Sequence, residues 1–243
     1  MRTTIAALKE RTAALRNPYL VALADGSMSR EDFIETQIQF LFAVVFFSRP
    51  MATLAGRLPR PQMRVPLIEN IRDEHGSGRL TVCHENTFLE LLERLGVDRS
   101  DVDARALWPE VRAFNTTLAG LCTLDDALTG LAALGMIEDL FAGISAAIGQ
   151  AIVARRFLPK DHLVHYTTHE TLDVQHAEGF YAGLYESYER HPRLRYQIDQ
   201  GLELGAYAFM TMYEGLYRAR GRRAMREVRG PHSLADGWYV EIR

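Results

Sequence analysis

Cysteine is scarce in this 243-residue chain: Cys83 and Cys122 are the only two, and neither stands in a CxxC or similar thiolate spacing. A disulfide-stapled scaffold and a thiolate zinc site are thereby excluded, and a reducing, cytoplasmic setting is expected. An excess of one charge is lacking as well, since 28 Lys and Arg face 31 Asp and Glu for a formal net charge of -3. The one strongly basic run, Arg218 to Arg229, has no interleaved aromatic residues. It reads as a solvated helix end, and no nucleic-acid partner is expected. The longest unbroken apolar run, Phe40 to Phe47, falls far short of the ~20 residues a membrane span needs. The N-terminal segment carries Lys9, Glu10 and three arginines where a signal peptide would be apolar, so no membrane partner is expected either. No Gly/Ser or Pro-rich linker and no internal repeat divides the chain. One domain over 1–243 is expected, with its core at about 30–217.

What is present is helical. Alternating Val, Ile and Thr runs bounded by hairpin turns do not occur, whereas caps and helix breakers recur along the chain. Ser29 followed by Asp32 opens a long helix towards Leu58, with Pro50 inside it. A second helical stretch covers Arg64 to Leu95, interrupted near Gly76 and Gly78 and stopped by Gly96. A third runs from Trp108 to Leu121 with Pro109 in its first turn, and a fourth starts at Thr123 and reaches about Arg156. After Pro159 and Asp161 a fifth continues to Arg190, His191-Pro192 breaks it, and Arg193 to Arg220 supplies the last. With a short N-terminal helix these make an all-α, seven-helix up-and-down bundle.

The stretch HETLDVQH places His169, Asp173 and His176 at i, i+4 and i+7, one stripe of a helix. Glu138-Asp139 interrupts a helix that is apolar on nearly every face. A lone carboxylate buried there would be costly or protonated, so Glu138 is expected to be inward with a partner, and Asp139 to face water. His84 stands in another apolar-faced segment, and Glu74, ten residues earlier, returns to within about 80° of it on an unbroken helix. Glu74, His84, Glu138, His169, Asp173 and His176 together offer three carboxylates and three imidazoles. Mixed N/O donors in this number suit two first-row transition ions, and iron with O2 chemistry is the usual use inside a helical bundle.

The segment ENIRDEHGSG (Glu69 to Gly78), then His84, then Glu138, then HETLDVQHAEGF (His169 to Phe180) resembles the haem-oxygenase-like diiron oxidases and oxygenases, the CADD-like group on the TenA- and PqqC-type fold. The likeness covers about Arg30 to Tyr217. It implies that His84 and Glu138 bind one iron with a bridging carboxylate, and that His169, Asp173 and His176 hold the other. Glu74 supplies the remaining carboxylate, with Asp73 and Glu69 as fallbacks and Glu85 on another face. It implies two Fe(II)/Fe(III) ions, O2 as co-substrate, an external electron donor and a homodimer. The activity would be desaturation, C–C cleavage or N-oxygenation of a small, amino-acid-derived molecule in a specialised biosynthetic pathway. Arg64, Arg72 or Arg79 would meet the carboxylate of such a substrate. Glu178 and Gln175 are candidates for supporting the ligands, and Phe40, Phe141 and Tyr207 for lining the pocket. A haem oxygenase of this fold needs a proximal histidine near the N-terminus, but the first histidine here is His75. A metal-free TenA-like hydrolase would use Cys83 or Cys122 as nucleophile and leave the histidines without a task. A non-enzymatic helical interaction protein would present the His/Asp/Glu stripe to solvent or to a partner.

Overall fold

The structure, a computed structural model, describes residues 1–227, excepting the side chains of 168–171. The described residues form ten α-helices and no β-strand: α1 (Arg2–Thr12), α2 (Pro18–Asp25), α3 (Arg30–Arg57), α4 (Pro61–Glu74), α5 (His84–Arg94), α6 (Arg99–Ala104), α7 (Pro109–Thr123), α8 (Ala127–Ala154), α9 (Val164–Arg190) and α10 (Pro192–Ala219). The all-α bundle expected from the sequence is thus present, with more breaks than anticipated. Asn17 accepts from the Tyr19 backbone N–H at 3.0 Å and, with Pro18 in the first position, opens the separate short helix α2. Ser29 caps α3 through the Asp32 N–H at 3.0 Å, and α3 continues through Pro50. Thr123 ends α7 rather than starting the next helix. The cap of α8 is Asp126, which accepts from the Leu128 N–H at 2.8 Å.

The break between α4 and α5 shapes the site. Gly76, Ser77 and Gly78 all adopt positive φ (65°, 53° and 87°), a left-handed turn that glycine tolerates and that Ser77 supports by donating from Oγ to Asp73 at 2.9 Å. A Cβ on Gly76 would lie 2.8 Å from the backbone nitrogen of Cys83. Gly76→Ala is therefore expected to cost more than about 1 kcal/mol in a denaturant titration, through strain in φ and through the clash. A cost below that would show that the turn relaxes freely.

Helix α8 is the axis of the bundle and packs against α9 and α10 along most of its length. Its approach to α10 is close: a Cβ on Gly205 would lie 2.4 Å from the Ala133 carbonyl oxygen. Both α3 and α8 are long and apolar enough, by length and composition, to cross a membrane, but most of each apolar window is buried inside the bundle. The described part of the basic run is largely exposed, as expected, and is also tied to the fold by ion pairs. Arg222 makes a two-pronged contact with Glu110 (2.8 and 3.0 Å), Arg223 reaches Asp32 at 2.7 Å, and the following backbone pairs with residues 104–106.

Candidate metal centre

The donors come from four helices. α4 ends on Glu74, the left-handed turn reverses the chain, and α5 begins on His84, whose Nδ1 lies 2.9 Å from Glu74 Oε1 with both side chains buried. From α8 comes Glu138, 3% exposed in the middle of the most apolar helix of the fold. Asp173 and His176 project from α9, 0% and 7% exposed. Ligand atoms of Glu138, Asp173 and His176 all lie within 4.8 Å of one another. His169 is on α9 one turn before Asp173, but its side chain lies outside the described residues. Five of the six residues singled out in the sequence are therefore brought together or lie at the edge of the group.

Burial and mutual repulsion dominate the electrostatics. The Asp173 carboxyl is pushed well above the usual carboxylate range, first by burial and then by Glu138 and Glu74. Burial works against a charge on His84, but Glu74, Asp173 and Glu138 outweigh it and raise its pKa. For His176 burial again opposes the charge, and the surrounding carboxylates of Glu138, Asp73 and Asp173 raise it to about 9. His176 Nδ1 is buried and has no hydrogen-bond partner among the described residues. It faces Glu138 Oε2 at 3.9 Å, too far for a hydrogen bond. A buried nitrogen and a buried carboxylate held apart in this way, beside a second carboxylate, form a donor set that fits a divalent cation of the iron type.

Two supporting groups, Asn70 and His165, were not singled out in the sequence, and a third, Asp73, only as a fallback ligand. Asn70, fully buried one turn before Glu74, donates from Nδ2 to Glu138 Oε1 at 2.6 Å. Asp73 lies 3.2 Å from His176 Nε2, the carboxylate-to-histidine contact that fixes a ligating imidazole. His165, 1% exposed, extends the α9 stripe one turn back from His169, and its Nδ1 lies 3.1 Å from Thr87 Oγ1. The i, i+4 spacing of Asn70 with Glu74 and of His165 with His169 was the available signal.

Other expectations fail. Gln175 and Glu178 are exposed and support none of the described donors, because one and two residues from a stripe is another face of the helix. Glu69 is exposed as well, so the fallback carboxylate is Asp73 alone. Asp139 does not simply face water: it is half-buried, paired with Lys9 of α1, and accepts from the Tyr181 hydroxyl at 3.2 Å. Tyr207 is 68% exposed on the outer face of α10.

A cavity opens on the same group, with an empty volume of about 440 Å³ counted out to its mouth. Glu74, His84, Glu138 and His165 form its polar end, and Phe40 and Phe141 line it as expected. Arg64, Arg72 and Arg79 do not. A larger open groove between α1 and α10 contains none of the donors.

Comparison with solved structures places the fold. A domain from Shewanella denitrificans with a haem oxygenase-like fold superposes with a TM-score of 0.72 at 15% identity, covering 89% of this chain and 90% of that one. A TenA homologue from Pseudomonas syringae gives 0.71 at 18% identity over 89% and 90%. A CADD-like protein from Nostoc punctiforme gives 0.70 at 19% identity over 89% and 96%. No curated protein matches the chain. The model of one sequence family, described as iron-containing redox enzymes, matches residues 35–210, a span that includes every donor named above. By that match and by its haem oxygenase-like fold, the chain belongs to this family of iron-containing redox enzymes.

Proposed function

We propose that the protein is an O2-dependent non-haem diiron oxidase or oxygenase acting on a small molecule by desaturation, C–C cleavage or N-oxygenation. The reading rests above all on Glu138, Asp173 and His176, buried and mutually within 4.8 Å in a chain of the iron-containing redox family. Glu74, His84, Glu138, His169, Asp173 and His176 would hold the two ions. Iron bound there supplies the reduction of O2 and the oxidising power directed at the substrate. The chain's own residues prepare the site. Asn70 fixes the orientation of the Glu138 carboxylate, and Asp73 that of the His176 ring. The phenylalanine wall of the adjoining cavity keeps water from the reacting groups. An external electron donor and a homodimeric state complete the proposal, with neither nucleic acid nor membrane as partner.

The two thiols offer little to a metal-free hydrolase. Cys122 is fully buried, and burial pushes its pKa up to about 12. Cys83 is also raised by burial, so neither is an activated nucleophile. The decisive experiment loads the protein with ferrous iron under argon, counts bound metal, and then admits O2 while following visible absorbance. Two irons per chain and an O2-dependent absorbance change that His169→Ala removes are expected. At most one iron at saturation would end the diiron assignment.

A further inference from the structure

The cavity beside the donors is built for something without charge. Phe40, Ala43, Val44 and Phe47 lie at i, i+3, i+4 and i+7, one stripe of α3, and form one wall. Phe114 of α7, Phe141 of α8 and Phe209 of α10 close the others. Phe40, Phe114 and Phe209 are 3–4% exposed, while Val44 and Phe47 are half-buried and mark the mouth. No lysine or arginine lines the cavity among the described residues, and its polar groups are the candidate ligands and His165.

We infer that this cavity binds an uncharged hydrocarbon or aromatic group of the substrate, and that Ala43 and Val44 set how large a group enters. A carboxylate in the depths of the cavity would be stripped of water with no lysine or arginine to receive it. It would also approach Glu74 and Glu138, of the same sign. An ammonium would lose its hydration among aromatic and aliphatic walls and compete with the metal for the same acids. An apolar group meets neither penalty, and each buried CH2 contributes about 0.8 kcal/mol of transfer free energy. The part of it that a water-sized sphere can reach is about 40 Å³, below the about 300–1,000 Å³ of drug-sized sites, so the group that enters is slender. A zwitterionic amino acid is thereby disfavoured as the group presented to the donors. The inference deepens the proposed oxidase and rests on it for the fate of the bound group.

The test is direct binding to the metal-free full chain by calorimetry, comparing 1-hexanol with L-norleucine, which carry equal carbon number and differ in charge. Hexanol is expected to bind at least tenfold more tightly. Ala43→Phe, which fills the interior, and Val44→Trp, which fills the mouth, are each expected to weaken it by tenfold or more. Circular dichroism identifies the variants that fold, and a folded one of the two suffices. Norleucine binding as well as hexanol, no hexanol binding, or undiminished binding in a folded filled variant would each overturn the inference. Hexanol binding that responds to the variants in a protein that takes up no iron leaves the cavity assignment standing and sinks the oxidase instead.

Discussion

Glu138→Gln is expected to lower the affinity for divalent metal by about 100-fold or more, beyond the 10- to 100-fold typical of losing a group that only supports a ligand. At the same time it should change the stability of the metal-free protein by less than about 1 kcal/mol. The substitution keeps the volume and leaves an amide oxygen to accept from Asn70, whose 2.6 Å bond to Glu138 would otherwise be orphaned. It removes one acidic group from a cluster in which burial and then Glu138 itself push the Asp173 carboxyl up. With that neighbour neutral, Asp173 ionises more readily and takes over the compensation of His176. The metal-free fold therefore loses little, whereas the metal loses a carboxylate that no other residue on α8 replaces. Manganese(II) titration followed by the resonance of the free ion measures the first quantity, and urea unfolding in chelator the second. A variant that binds metal normally but unfolds several kcal/mol more easily would make Glu138 a structural residue.

The sequence patterns that proved most legible were those confined to one helix. Asp173 and His176 could be placed on a common face from spacing alone, and both are buried together at the centre. Glu138 was conspicuous because a carboxylate in an otherwise apolar helix must have a partner. The capping of α3 by Ser29 and the start of α7 at Pro109 were equally local and equally readable. The pairing of Glu74 with His84 depends on the interruption expected near Gly76 and Gly78. Ten residues on an unbroken helix leave the two some way apart in angle, yet they meet at 2.9 Å because the backbone unwinds at Gly76 to Gly78 and folds back.

What escaped the sequence depended on distant partners or on uncharged groups. Asp139 looked destined for solvent, and nothing near it in the chain announced that Lys9 and Tyr181 would cover it. Asn70 carries no charge to draw attention, although its hydrogen bond aims the carboxylate that the site depends on. His165 was overshadowed by the motif that begins at His169, while Gln175 and Glu178 gained weight from sequence proximity that the helix turns into distance. Arg64, Arg72 and Arg79 stand out in the sequence by their charge, yet none of them lines the cavity. The aromatic wall that faces the donors is assembled from α3, α7, α8 and α10, which only the packing brings together.

Metal affinity is expected to rise steeply with pH, by about tenfold to a hundredfold per unit between pH 6 and 8, and to level off above about 9, because binding displaces one to two protons. His176 is raised to about 9 by Glu138 on α8, Asp73 on α4 and Asp173 on its own helix, so through the neutral range it holds a proton that the metal must expel. His84 on α5 is raised by Glu74, Asp173 and Glu138, and the Asp173 carboxyl is raised by burial and by Glu138 and Glu74, so these too retain protons above their ordinary pH. The metal-free protein responds in the opposite sense. An imidazole whose folded pKa exceeds its unfolded value of about 6.5 contributes stability that is full below 6.5 and is lost as pH rises through 9. A buried carboxyl with a raised pKa likewise weighs against folding once pH passes its unfolded value of about 4. The melting temperature without metal should therefore fall from pH 6.5 to 9, while the increment produced by saturating manganese(II) grows over the same interval. Thermal melts at a series of pH values, with chelator and with metal, measure both trends. An increment that is flat or shrinking with pH would mean that these side chains do not exchange their protons for the ion.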